Sequence, residues 1–195
     1  MDLNEVDVLS RHPVPRHRLT VNDFHRLGDA GILGVDDRVE LLEGQLVDMS
    51  PIGPRHAFTV DLLTRLLLGA ADEKAWVRPQ NPMALDRMSE CQPDVVVLRP
   101  PWSGYQNAHP RPEDVLLLIE VADSSLETDS GAKRALYARA GICEFWIVDL
   151  TTNSVIVHRD SSGDRYTTVT RIEGSGALDI RALPGIAIPV ALLFA

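Results

Sequence analysis

Two apolar stretches decide the fold of this chain: residues 94–98, DVVVL, and residues 115–121, VLLLIEV. Both are short, uninterrupted runs of valine, leucine and isoleucine, which are typical of strands buried on both faces at the centre of a sheet. A proline-rich segment connects them. The two runs therefore predict neighbouring central strands with a loop between them.

Helical patterns lie on both sides of this pair of strands. Residues 20–33 have a polar start and a glycine near their end, which predicts a short helix. Residues 53–70 open with Gly-Pro and repeat apolar side chains at helical spacing, so they predict a helix with one face on a core. Residues 127–140 predict a third helix, which ends at Gly141.

The other periodic segments predict strands. Residues 41–49 form a strand with a turn or bulge at Glu43-Gly44, and residues 75–85 form a strand with irregular edges. Four more strands have the sequences EFWIVDL, SVIVHR, RYTTVT and IAIPVALLF. The order of these elements predicts an α/β fold, in which a sheet carries helices on its faces.

The composition is that of a soluble globular chain. Its 195 residues are 45% hydrophobic and 24% charged, which suffices for one well-buried core. We expect one domain over residues 19–195, after an extended N-terminal arm over residues 1–18. The chain starts without a long apolar run, and Cys91 and Cys143 lack disulfide or zinc-site spacing. We therefore expect a cytoplasmic protein that does not enter a membrane.

The net charge of −9 argues against a protein that coats DNA passively, because such binding depends on lysines and arginines that neutralise phosphates. It is compatible with an enzyme that touches nucleic acid locally. Carboxylates gathered around a metal ion make a site acidic, and the ion then supplies the positive charge that a phosphate requires.

Asp94 and Glu120 are the candidate chemical groups. If their strands pair antiparallel, the start of one lies beside the end of the other, and the two carboxylates meet. Buried carboxylates need a positive partner, and Mg²⁺ or Mn²⁺ prefers such oxygen ligands. The alternative is that Asp94 caps a turn after Pro93 and that Glu120 forms an ordinary ion pair.

Four segments carry a resemblance to a known family: RVELLEGQLVDMSP, QPDVVVL, LLLIEVADSSLETDSGAKRALYARAG and CEFWIVDL. In this order they resemble the Uma family of restriction-endonuclease-like proteins, a branch of the PD-(D/E)XK nuclease superfamily, from about residue 20 to the C-terminus. The resemblance implies a restriction-endonuclease-like fold with a central mixed β-sheet flanked by helices. It also implies a metal-dependent phosphodiesterase site and a homodimer.

The same resemblance assigns roles to individual residues. Asp94 and Glu120 match the two metal-binding acids, and the Val121 carbonyl is a further candidate ligand. Glu40 matches an additional carboxylate near the metal or its water shell, and its alternative is a solvated glutamate at the start of a strand. Glu43 ranks second for that role, as an exposed turn residue.

One position departs from the superfamily pattern. The third residue of the (D/E)XK motif is Ala122 instead of lysine. The Uma branch implies a lysine from the following helix, where Asp129, Lys133 and Tyr137 are spaced four apart and so share a face. Lys133 is therefore the expected catalytic lysine, and a surface ion pair with Asp129 is the alternative.

Two functional hypotheses follow. The first is an Mg²⁺- or Mn²⁺-dependent endonuclease that hydrolyses DNA as a homodimer. The apolar C-terminal tail either covers a dimer interface or packs on its own sheet. The second is a catalytically inactive nuclease-fold module for binding or dimerisation, which the acidic charge and Ala122 favour. Smaller roles at the site are candidates for His56, as a phosphate contact or proton shuttle, and for Gln80.

Overall fold

The computed structural model describes residues 14–34, 36–123 and 129–194. The helices are α1 (Val21–Asp29), α2 (Pro54–Ala71) and α3 (Arg134–Arg139), and a π-helical turn, Asp129–Lys133, leads into α3. The strands are β1 (Val39–Leu42), β2 (Gln45–Asp48), β3 (Trp76–Pro79), β4 (Met83–Asp86), β5 (Ser89–Cys91), β6 (Val95–Leu98), β7 (Val115–Ala122), β8 (Glu144–Asp149), β9 (Ser154–Ser162), β10 (Arg165–Glu173), β11 (Ala177–Asp179) and β12 (Ala187–Pro189).

The centre of the fold is a six-stranded mixed sheet with the order β10-β9-β8-β7-β6-β3. Strands β7 and β8 run parallel, and the other neighbours in this sheet run antiparallel. A second, antiparallel sheet has the order β2-β1-β5-β4, and β11 and β12 form a small pair. The predicted mixed sheet with flanking helices is confirmed.

Both faces of the six-stranded sheet are buried, which explains the uninterrupted apolar runs. Alternate side chains of β6 and β7, such as Val95 and Ile119, pack with α2 on one face. The intervening side chains, such as Val96 and Leu118, pack on the other face with α3 and with the strands of the second sheet. Asp94 and Glu120 belong to this second set by their position in the alternation.

Two local predictions differ from the structure. Residues 75–85 form two strands that belong to different sheets, because the chain turns at Gln80, which has a positive φ of 47°. The third helix starts with a π-helical turn at Asp129, and residues 127–128 of the predicted helix lie outside the described residues. Sequence periodicity does not show either feature, since tertiary contacts determine both.

The apolar C-terminal tail packs on its own chain. Ile188, Val190 and Leu193 are buried in the same cluster as the apolar face of α2. The tail therefore does not need a partner subunit to cover it, and this part of the argument for a homodimer is wrong. The dimer itself stays a prediction from the resemblance.

The N-terminal arm lies mostly outside the described residues, which begin at Val14. Residues 14–18 are exposed and have no regular secondary structure. The division into an arm and one domain stays a prediction. None of the helices in the described part of the chain is both long enough and apolar enough to cross a lipid bilayer.

Candidate active site

Asp94 and Glu120 lie side by side at one end of the central sheet. Val95 pairs with Ile119 in the β6–β7 ladder, so the next position outward places Asp94 opposite Glu120. The Val121 N–H donates to Asp94 Oδ2 at 2.8 Å, and the Asp94 N–H donates to Glu120 Oε2 at 3.3 Å. Asp94 thus accepts a hydrogen bond from the residue after Glu120, and Glu120 accepts one from the main chain of Asp94. Both residues are buried.

Lys133 brings a buried ammonium group to these carboxylates. Its Nζ lies 3.0 Å from Glu40 Oε2 and 3.2 Å from Glu120 Oε1, and the residue is only 8% exposed. Lys133 is the last residue of the π-helical turn, directly before α3. The helix therefore points this lysine at the acids, and the alternative of a surface ion pair does not describe it.

The position of Ala122 explains how the lysine fits. Residues two apart on a strand share a face, so Ala122 and Glu120 point to the same side of β7. Ala122 is fully buried in the apolar cluster that also contains Tyr137 of α3. The helix that carries Lys133 thus packs on the face where a lysine at position 122 would stand.

Tyr137 holds Glu120 from the same helix. Its hydroxyl donates to Glu120 Oε1 at 2.6 Å, and the residue is fully buried. Burial, together with the Cys91 thiol and the nearby carboxylates, raises the pKa of Tyr137 well above its ordinary value. The hydroxyl therefore keeps its proton and remains a donor to Glu120.

Glu40 joins the cluster from the second sheet. It is buried on β1, and its Oε1 accepts hydrogen bonds from the Gln92 N–H at 2.7 Å and from Lys133 Nζ at 3.1 Å. Glu43 lies in the turn after β1, where it pairs with Arg139 at 2.7 Å. Of the two glutamates, the structure brings only Glu40 to Lys133.

Asp94 has two further side-chain neighbours. His56 Nε2, in the first turn of α2, lies 3.0 Å from Asp94 Oδ2, and Gln80 Nε2 donates to Asp94 Oδ1 at 3.4 Å. The Gln80 backbone is left-handed, a conformation that is uncommon for residues other than glycine and that clusters at functional sites. Both minor candidates from the sequence thus contact Asp94.

The cluster opens onto a cavity of about 130 Å³. Its lining is mixed in charge and includes Glu40, His56, Gln92, Asp94, Glu120 and Lys133. The charged groups are held by hydrogen bonds on the protein side and reach a space that a small ligand can enter.

Comparison with known proteins agrees with this architecture. A family profile, Uma2, described as "putative restriction endonuclease", matches residues 21–191. The chain belongs to the Uma2 family. The crystal structure of a "putative nuclease belonging to DUF820" from Anabaena variabilis has the same fold, with a TM-score of 0.71 and 13% sequence identity. The match covers 90% of this Uma2 chain and 97% of that chain. None of the curated proteins compared with the chain matches it.

Sequence reasoning on this Uma2 chain missed Gln92 and the hydrogen bond from Tyr137 to Glu120. Gln92 donates its N–H to Glu40, and its side chain donates to the Gln80 carbonyl at 2.9 Å, so it joins the two sheets at the site. The sequence did offer one sign that Gln92 belongs to the site, namely its position two residues before Asp94. Tyr137 was placed on the face of Lys133, but its bond to Glu120 depends on how α3 packs.

The donor set of the Uma2 site fits a hard divalent cation. Asp94 and Glu120 supply carboxylate oxygens, which Mg²⁺ and Mn²⁺ prefer. In a strand, the N–H and the C=O of one residue point toward the same edge of the strand. Because the Val121 N–H donates to Asp94, the Val121 carbonyl also points toward the side of Asp94. The site thus offers three oxygen donors of the required type.

Proposed function

We propose that this Uma2 protein is a metal-dependent endonuclease that hydrolyses phosphodiester bonds, with DNA as its substrate. One observation carries the proposal: Glu40 and Glu120 are buried around the ammonium group of Lys133, Asp94 is buried beside Glu120, and all of them line a cavity. Charges are expensive to bury, so a charged cluster that opens onto a cavity is a functional-site candidate. Membership of a family described as restriction endonucleases supports the reaction class.

Asp94, Glu120 and the Val121 carbonyl would hold Mg²⁺ or Mn²⁺. When bound, such an ion supplies positive charge that polarises a phosphate and lowers the pKa of water. The protein's own part is to fix these donors. The Val121 N–H holds Asp94, and Tyr137 and the Asp94 N–H hold the two oxygens of Glu120.

Lys133 is the proposed electrostatic catalyst. A lysine ammonium is a compact point charge on a flexible stem, so it can stabilise the negative charge that develops on a phosphate during hydrolysis. The chain has only two lysines, Lys74 and Lys133, among 19 basic residues, and one of them stands at the site. Glu40 and Glu120 together hold the Lys133 ammonium group.

His56 is the proposed positioning residue for Asp94, and because it lines the cavity it is also the candidate phosphate contact or proton shuttle. A homodimer and a cytoplasmic location complete the proposal. The dimer rests on the resemblance to the family, and the location rests on the composition.

A plasmid assay tests the proposal. Purified protein should nick or linearise supercoiled DNA with Mg²⁺ or Mn²⁺ and should leave it intact in EDTA. Glu40→Gln should slow cleavage about 10- to 100-fold, the effect typical of groups just outside a metal's ligands. Glu43→Gln, in the turn three residues after Glu40 and partly exposed, is the matched control and should cleave at the original rate.

The inactive-module hypothesis predicts the opposite outcome. Such a protein would leave plasmid DNA and a single-stranded RNA probe intact with either ion, and it would not bind Mn²⁺ in a titration. Cleavage of the RNA alone would retain the nuclease and replace DNA as the substrate.

A further inference from the structure

A second group of potential metal ligands lies apart from the candidate active site. His25 on α1, Glu90 on β5 and His109 in the loop before β7 each bring one ligand atom to within 4.8 Å of the others. Among the described residues, no other group of three histidine, cysteine or acidic side chains has ligand atoms this close together. The three acids of the candidate active site, taken as a group, do not meet this distance.

The two sites face opposite sides of the second sheet. Glu90 pairs with Leu41 across β5 and β1, so these two side chains share a face. Glu40 precedes Leu41 on β1 and therefore points to the other face, toward Lys133. A ligand at Glu90 would thus be separated from the candidate active site by the sheet itself.

Glu90 is a buried acid that lacks an arginine or lysine partner among the described ion pairs. It is 6% exposed, and His25 Nε2 lies 2.9 Å from one of its oxygens and 3.1 Å from the other. A buried carboxylate requires a positive charge close by. Either a protonated His25 or a bound cation can supply it.

His109 and His25 are held near Glu90 by the main chain. The Ala84 N–H donates to the Pro110 carbonyl at 3.1 Å, which fixes the loop directly after His109 against β4. The Val21 N–H donates to the Arg87 carbonyl at 2.9 Å, which fixes the start of α1 to the β4–β5 turn. The two imidazole rings meet edge to face, with centroids 6.3 Å apart.

We infer that His25, Glu90 and His109 form a binding site for a divalent transition-metal ion such as Zn²⁺. Two imidazoles and one carboxylate are a known Zn²⁺ ligand set, with water in the fourth position, whereas Mg²⁺ takes oxygen ligands. The ion supplies the positive charge that Glu90 requires. It also fastens α1 and the loop containing His109 to β5.

The geometry requires little rearrangement. Ligand atoms of a tetrahedral Zn²⁺ site with bonds of about 2.0–2.1 Å lie about 3.3 Å apart. The contact of 2.9 Å between His25 and Glu90 is close to this value. His109 is exposed, so its ring can move the remaining distance inward without disturbing the core.

Zinc titration of the full chain tests the site. The measurement uses Glu120→Gln protein, so that the candidate active site does not add a second binding event. We expect one Zn²⁺ per chain, and a melting temperature about 5–10 °C higher at a zinc concentration 100 times the Kd. His109→Ala should weaken Zn²⁺ binding at least about 100-fold, because it removes a direct ligand.

His17→Ala is the matched control, since His17 is an exposed histidine outside the group of three. It should bind Zn²⁺ as tightly as the parent protein. Because His109 is exposed, its replacement leaves the fold intact, which circular dichroism verifies. No Zn²⁺ binding by the parent, or equal binding by His109→Ala, would overturn the inference. In protein that keeps Glu120, His109→Ala should retain Mn²⁺-dependent DNA cleavage if the proposed function holds. The two proposals can therefore fail separately.

Discussion

Two buried glutamates stand on neighbouring strands of the central sheet, Glu120 on β7 and Glu144 on β8. Each shares one basic side chain with a second acid. Lys133 joins Glu120 to Glu40, and Arg159 joins Glu144 to Asp179. Because Glu120 pairs with Ile147, three residues along β8 from Glu144, the two glutamate side chains point to opposite faces of the sheet.

The two glutamates differ in the other hydrogen bonds that their carboxylates accept. Glu144 Oε1 accepts bonds from Arg159 and from the Trp146 indole, and Oε2 accepts one from the Arg181 N–H. A planar arginine fork and fixed donors thus hold both oxygens of this carboxylate, which does not line the cavity of the candidate active site. Glu120 is held by a flexible lysine and lines a cavity. Burial and pairing are thus common to both acids, and the feature that distinguishes Glu120 is that it lines a cavity.

The largest expected effect is on cleavage when Glu120 changes. Glu120→Gln removes one of the two carboxylates that would hold the metal, so cleavage should fall by more than about 1000-fold and Mn²⁺ affinity should fall with it. Glu144→Gln should cleave at the original rate per folded molecule. Plasmid cleavage and Mn²⁺ titration are measured together. If both variants lost cleavage and Mn²⁺ affinity equally, the two clusters would not differ in function.

Lys133→Met should lower cleavage about 100- to 1000-fold, because it removes the charge nearest the developing negative charge. It also leaves Glu40 and Glu120 buried without a cation, so we expect the metal-free variant to lose about 3 kcal/mol of stability. Mn²⁺ should then raise the melting temperature of Lys133→Met more than that of the original protein. Lys74→Met, at the exposed second lysine, is the control. Undiminished cleavage by Lys133→Met would exclude a catalytic lysine.

Glu144→Gln should lower the free energy of unfolding by about 3 kcal/mol, because Arg159 loses its buried partner. Asp179→Asn removes the exposed acid on the same arginine and should cost less than about 1 kcal/mol. Urea denaturation measures both values. A loss for Asp179→Asn as large as that for Glu144→Gln would show that burial does not distinguish the two acids.

A smaller effect concerns acid stability near Glu144. His158 pairs with Phe145 across β8 and β9, and burial, followed by the nearby Arg134, lowers the pKa of His158 to about 4. The unfolded chain, with a pKa of about 6.5, binds the proton first, so stability present above pH 6.5 is lost as the pH falls toward 4. Between pH 7 and 5 this loss is about 2 kcal/mol.

His158→Gln should remove that part of the pH dependence, whereas His17→Gln, at an exposed histidine, should not change it. The test compares the urea midpoints of unfolding at pH 7 and pH 5 for the original protein and both variants. A variant that lost as much stability between the two pH values as the original protein would contradict the role of His158.

Much of this arrangement could be read from the sequence, because the decisive signals are local. The apolar runs in β6 and β7 gave the central strands, and the acids at their ends gave Asp94 and Glu120. The division of residues 75–85 between two sheets was not predicted, because the sheet that receives each strand depends on contacts distant in sequence. The group of His25, Glu90 and His109 was missed for the same reason, since three separate segments supply it.

Ala122 and Lys133 have a consequence for how such a site can change during descent. The pattern that the chain resembles has a lysine on the strand, whereas here position 122 is alanine and Lys133, directly before α3, lies beside Glu120 on the same face of β7. The order of the two changes is decisive. A lineage that gains the helix lysine before losing the strand lysine never passes through a protein in which Glu120 lacks a cation. The reverse order would bury Glu120 without a cation, and such an intermediate would be less stable.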